Sequence, residues 1–159
     1  MRRKNSLRLE NYDYTKEGSY FITIVTQNKN ALLGEIREDE MLLNEAGEMI
    51  EIWIKKLSSK FMGIGIESMV IMPNHIHFIL IKEEGSKENT LSKIVQWFKT
   101  MTTNAYIKGV RAEIYMPFDK KLWQRNYYEH IIRDENSYHE IREYIQNNPQ
   151  KWKEDSLYA

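Results

Sequence analysis

The chain has 159 residues, 42% hydrophobic and 29% charged, with 23 acidic and 23 basic side chains and no cysteine. That length favours one domain with a substantial core, and the composition is ordinary for a globular protein. It excludes disulfides and thiolate zinc sites, offers no apolar run of membrane-spanning length, and its zero net charge counts against a strong non-specific nucleic-acid binder.

Residues 1–18 read as a polar arm, with Arg2, Arg3, Lys4 and Arg8 clustered at its start. No apolar stretch follows these charges, so a secretory signal is not expected; with no cysteine either, the expected location is cytoplasmic. Ser19–Thr26 is β-branched and aromatic and predicts a strand. Ala31–Arg37 and Met41–Leu43 predict a short hairpin around Glu38-Asp39-Glu40. Asn44 is an N-cap candidate for a helix over Glu45–Lys60, with Met49, Ile50, Trp53, Ile54 and Leu57 at helical spacing. Ile64–Met72 and His75–Lys82 predict two strands joined tightly by Pro73-Asn74. Thr90 is placed to cap a helix over Leu91–Ile107, with Ile94, Val95, Phe98, Met101 and Ala105 facing inward. A last strand is expected at Tyr127–Ile132. A final helix follows within 135–148, after caps at Asp134 to Ser137 and ended by Pro149, which cannot continue it.

The order β, α, β, β, α, β plus a helix is that of an α+β, ferredoxin-like split βαβ sandwich. Its antiparallel sheet would carry helices on one face, with an extra C-terminal helix beyond them. The whole of 1–159 reads as a single domain. In this topology the strand at His75–Lys82 is central, with its second face open.

His75 and His77 stand two apart in the stretch MPNHIHFIL. In a strand such residues share a face, about 7 Å apart along the backbone. Core positions would favour Val or Ile, so two imidazoles there suggest a shared divalent metal. They do not complete a ligand set. Tyr144 and Asn148 lie i and i+4 on the final helix, so they share a face; an amide oxygen suits Mg²⁺ or Mn²⁺. Tyr144 also fits the inward spacing of Ile141 and Ile145, which by itself describes a packed structural tyrosine. Lys120, Lys121, Arg125 and Arg133 interleave with Trp123, Tyr127, Tyr128 and His130, a mixture suited to phosphates and unpaired bases. Arg125 is the better phosphate candidate, and Trp123 more naturally packs in the core. Lys99 faces either nucleic acid or solvent, and His139 belongs to a helix surface.

Three stretches, MPNHIHFIL, LWQRNYYEHIIRDENSYHEIREYIQNNPQKW and NYDYTKEGSYFITIVTQNKNALLGEI, together resemble the REP-associated tyrosine transposases. That family is a branch of the HUH single-strand transposases of insertion sequences. The likeness runs in order from about Asn11 to Trp152. It implies that His75 and His77 are the histidine pair of the family motif, Tyr144 the nucleophile and Asn148 the third metal ligand, where many insertion-sequence relatives carry Gln. It implies a ferredoxin-like fold and a Mg²⁺ or Mn²⁺ cofactor. It further implies cleavage of single-stranded DNA beside a hairpin through a 5′-phosphotyrosine link. Lys121, Arg125, Arg2 and Arg3 would contact the nucleic acid, with His130 an auxiliary candidate, in a monomer or homodimer without membrane partners.

Two other classes compete. A catalytically inactive single-stranded nucleic-acid-binding module on the same fold would stack bases on its sheet, but binding alone does not need paired imidazoles. A histidine-triad phosphohydrolase would want a third histidine at position 79, which is Ile79.

Overall fold

The computed structural model describes residues 18–83, 86 and 88–158; the predicted arm, with Arg2 and Arg3, lies outside them except for Gly18. Four strands form the main sheet: β1 (Gly18–Val25), β4 (Ile64–Met72), β5 (His75–Lys82) and β6 (Tyr128–Ile132). Their spatial order is β4-β5-β1-β6 and every neighbouring pair is antiparallel. This is the split βαβ arrangement read from the order of elements. The strands β2 (Gly34–Arg37) and β3 (Glu40–Leu43) make the predicted hairpin. Its tip residues Glu38 and Asp39 both have positive φ, 51° and 64°, as a turn matched to strand twist requires.

Helices α1 (Glu45–Lys60) and α2 (Leu91–Arg111) start at the predicted caps. The Asn44 side chain accepts from the Gly47 amide at 2.8 Å, and Thr90 Oγ1 from Lys93 at 3.2 Å. Both helices cover one face of the sheet. There Ile50, Ile54 and Leu57 of α1 and Ile94, Val95 and Phe98 of α2 enclose Ile22, Ile24, Ile76, Phe78 and Leu80. Burying each such side chain is worth roughly 1.5–3 kcal/mol.

The far half of α2 differs from expectation. The helix runs four residues beyond Ile107, and its inward line is Phe98, Thr102 and Tyr106, with Met101 and Ala105 only half-buried. The segment after the helix causes this by folding back over it. Trp123 is buried, and its Nε1 donates to Thr102 Oγ1 at 2.9 Å; the Tyr106 hydroxyl donates to the Met116 carbonyl at 2.7 Å. Thr102 can be buried because its hydroxyl also donates to the Phe98 carbonyl at 2.7 Å.

Strand β4 contains a bulge between Ile66 and Ser68. Ile64 and Ile66 before it pack on the helix side, and so do Met69 and Ile71 after it. Glu67 is the extra residue that lets an even-numbered and an odd-numbered series reach the same core.

The second face, which α1 and α2 leave open, is covered from the C-terminal end of the chain. Helix α3 (Glu135–Asn147), capped by Asp134, lies over it. Ile145 is buried with Phe21 and Ile79, and Tyr138 and Ile141 pack beside them. Two 3₁₀ turns, Pro149–Glu154, carry the chain onward across this side. Among the described residues, no helix is long and apolar enough to cross a membrane.

Candidate active site

Alternation along β5 sends Ile76, Phe78 and Leu80 to the helical core, and therefore His75 and His77 to the face beneath the C-terminal segment. Opposite them on β1 stand Val25 and Thr23, and on β4 Met72 and Val70. Both histidines are fully buried. Their ring centroids are 4.6 Å apart, close enough to serve one ion.

Each imidazole is held through Nδ1. For His75 the partner is Asn74 Oδ1 at 2.7 Å, and for His77 it is Thr23 Oγ1 at 2.7 Å. Flat neighbours restrict the rings further: Phe21 stacks on His77 at 5.1 Å and Trp152 on His75 at 6.0 Å. Neither Nε2 atom has a hydrogen-bond partner.

The final helix brings its predicted pair to this place. The Tyr144 ring lies 5.4 Å from His77 and meets Phe21 edge-on at 6.0 Å. It stays 39% exposed, which distinguishes it from a packed structural tyrosine. Asn148, at the C-terminal cap of α3, is buried, with its Oδ1 unpartnered. Asp155 completes the group, and nothing in the sequence pattern pointed to it. Its Oδ1 accepts from the Leu157 amide at 2.8 Å, while Oδ2 lies 3.6 Å from His75 Nε2. The carboxylate follows the two 3₁₀ turns in a polar run without periodicity. Its position depends on Leu157, which packs against Val25 and Tyr128.

The ligand atoms of His75, His77 and Asp155 lie within 4.8 Å of one another. With Asn148 Oδ1 they make four buried acceptor atoms, all without hydrogen-bond partners. Buried polar atoms are nearly always paired, so such a set fits a divalent cation, with two nitrogens and two oxygens as donors. The His–His–Asp cluster is compatible with divalent metal binding.

Burial pushes the His75 pKa down to about 4, against opposing pulls from the Asp155 carboxylate and the Asn148 amide. His77 is held well below the usual histidine value, by burial first and by His75 second. Both rings are therefore neutral at pH 7, the form that binds metal. Burial also raises the Tyr144 pKa, while the Asn148 amide favours its phenolate.

Of the other candidates, Lys121 and Arg125 are exposed and line one shallow depression with Gln96 and Thr103. Lys99 is tied to backbone there, donating to the carbonyls of Gln124 and Arg125 at 2.8 and 2.9 Å. His130 is half-buried on β6 opposite Phe21, with β1 between it and the strand that carries His75 and His77. The rival tyrosines Tyr127 and Tyr128 are buried, and His139 is exposed.

Comparison with known proteins follows the same lines. A family described as "Transposase IS200 like" matches residues 16–148. An uncharacterized protein of Haemophilus influenzae is 40% identical over 98% of this chain and 93% of its own length. A second protein of that organism, named as a candidate REP-associated tyrosine transposase, is 28% identical over 90% of this chain and 77% of its own. The solved structure of a REP-associated tyrosine transposase bound to a REP hairpin superposes with a TM-score of 0.65 at 25% identity, covering 91% of this chain and 73% of that one. A transposase structure from Deinococcus radiodurans shares the fold, with a TM-score of 0.56 at 15% identity over 88% of this chain and 95% of that one.

Proposed function

Because the chain belongs to the IS200-like transposase family, we propose that it cuts and rejoins single-stranded DNA beside a folded hairpin, using Tyr144 as nucleophile. The carrying observation is the Tyr144 ring, part-exposed and 5.4 Å from a histidine of the buried ligand cluster. A tyrosine in that position can reach a phosphate from solvent while remaining beside the metal-type donors. The hairpin is carried over from the related protein whose structure holds one. The domain is proposed to span 1–159 as one HUH-type unit.

His75, His77, Asn148 and Asp155 would hold the cation, Mg²⁺ or Mn²⁺. When bound it supplies Lewis-acid polarisation of the scissile phosphate. Tyr144 Oη attacks phosphorus, a Tyr–O–P bond forms and the P–O3′ bond breaks. The departing strand takes a proton and leaves as a free 3′-OH; the 5′ side stays on the protein. Tyr144 must shed its own proton as it attacks, because its pKa lies above the ordinary value near 10. The Asn148 amide, which favours the phenolate, lowers that cost. The phosphotyrosyl bond conserves the energy of the phosphodiester, so a second 3′-OH can reverse the step without ATP. Lys121 and Arg125 are proposed contacts to the DNA backbone.

Incubation with hairpin-bearing single strands and Mn²⁺ should give a denaturant-resistant protein–DNA adduct that is absent in Tyr144→Phe. An adduct that survives this substitution would move the nucleophile to Tyr127 or Tyr128. Binding of single strands with no adduct under any divalent metal would favour the inactive binding module.

A further inference from the structure

Asn74 is the second residue of the turn between β4 and β5 and is fully buried. Its side-chain nitrogen donates to the Lys29 carbonyl at 3.2 Å and the Leu157 carbonyl at 2.7 Å. Rotating the amide by half a turn would set its oxygen against both carbonyl oxygens, which repel it. The orientation is thereby fixed, and Oδ1 can only accept. The atom it faces, 2.7 Å away, is His75 Nδ1. That nitrogen must carry the proton. In the neutral ring the lone pair then sits on Nε2, the atom directed at Asp155.

We infer that Asn74 is a positioning residue that locks His75 as its Nδ1–H tautomer and so presents Nε2 as a ready metal ligand. The inference rests on the metal reading proposed above. His77 provides the contrast. Its Nδ1 partner is the Thr23 hydroxyl at 2.7 Å, which can donate or accept, so that contact alone does not set a tautomer. Asn74 also holds the Leu157 carbonyl two residues beyond Asp155. One amide thus orients donors from the middle and the end of the described chain.

The test uses the full-length, metal-free protein labelled with ¹⁵N-histidine. Long-range ¹H–¹⁵N correlation at neutral pH should show His75 protonated on Nδ1 and bare on Nε2. In Asn74→Ala the Nε2–H form should become populated, and Mn²⁺ affinity by calorimetry should fall about 10–100-fold. Asn74→Asp keeps an acceptor for His75, but its second oxygen faces the Lys29 and Leu157 carbonyls; it must carry a proton there and can donate to only one of them. The variant should therefore keep the tautomer and near-native Mn²⁺ affinity while losing thermal stability, as Asn74→Ala does. Wild-type His75 protonated on Nε2 would overturn the inference, and this measurement needs no variant to fold. Equal loss of Mn²⁺ affinity in both variants would reduce Asn74 to a structural clamp. Wild-type protein with the Nδ1–H tautomer but no affinity for Mn²⁺ would instead sink the metal reading, and the positioning role with it.

Discussion

Asp155 Oδ2 and His75 Nε2 face each other across 3.6 Å, and neither has a hydrogen-bond partner. At neutral pH the histidine is uncharged, since its pKa is near 4. A carboxylate oxygen therefore points at a nitrogen lone pair inside a buried site. The contact is unfavourable by itself and favourable once a cation lies between the two atoms.

From this contact comes a prediction whose sign changes with metal. Without divalent ions Asp155→Asn should raise the melting temperature, because it removes the charge facing the imidazole. Added Mn²⁺ should stabilise the wild type by about 2.7 kcal/mol at a hundred times its Kd, or roughly 5–10 °C for a domain of this size. The variant should lose most of that gain. Differential scanning calorimetry with EDTA and then with Mn²⁺ reads both effects; a variant less stable in EDTA and equally stabilised by Mn²⁺ would remove Asp155 from the ligand set.

Acid should unfold the metal-free protein through the same pair of rings. Both histidines take up protons less readily in the folded state than in the unfolded one, where the ordinary value is 6.5. Between about pH 6.5 and 4 the unfolded chain binds more protons, so stability falls as pH falls through that window. For His75 alone the loss is on the order of 3 kcal/mol. Urea midpoints measured in EDTA from pH 7.5 to 4 should decline, and the decline should flatten in a His75→Gln/His77→Gln double variant.

Tyr144→Phe should separate chemistry from structure. The ring is 39% exposed and Phe keeps its packing against His77 and Phe21, so losing the hydroxyl and its bond to the Asn148 side chain should cost no more than about 1 kcal/mol. Mn²⁺ affinity should remain while adduct formation disappears. A large fall in melting temperature would show that the hydroxyl serves the fold.

Lys121 and Arg125 are exposed, so alanine at either should barely alter stability. If each meets a phosphate, the slope of log affinity against log salt should shrink by about 0.7 per residue on single strands. Fluorescence anisotropy across a salt series measures this. Trp123→Ala, in contrast, should cost about 3–5 kcal/mol, because the indole is a buried core residue bonded to Thr102.

Local chemistry made much of the fold legible in the sequence. Asn44, Thr90 and Asp134 cap their helices because their side chains suit that geometry. Pro73-Asn74 ends one strand and starts the next at the predicted residues. Strand and helix periods set His75 with His77, and Tyr144 with Asn148, on shared faces, but only the resemblance to the REP-associated family singled out the second pair, since its spacing alone describes a packed structural tyrosine. The remainder is set by packing between distant segments. An extra residue at Glu67 leaves an apolar run looking unchanged. The inward line of α2 turns on a tryptophan more than ten positions beyond the helix. Asp155 has no period to betray it, and its place follows from Leu157 seating on Val25 and Tyr128.

The bond from Asn74 to Leu157 spans 83 positions, and that from Thr23 to His77 spans 54. Contacts of such long range form only after the intervening chain is in place. A chain that stops before residue 155 therefore carries both histidines but lacks Asp155 and its anchor Leu157, and the His–His–Asp cluster exists only in the assembled tertiary fold.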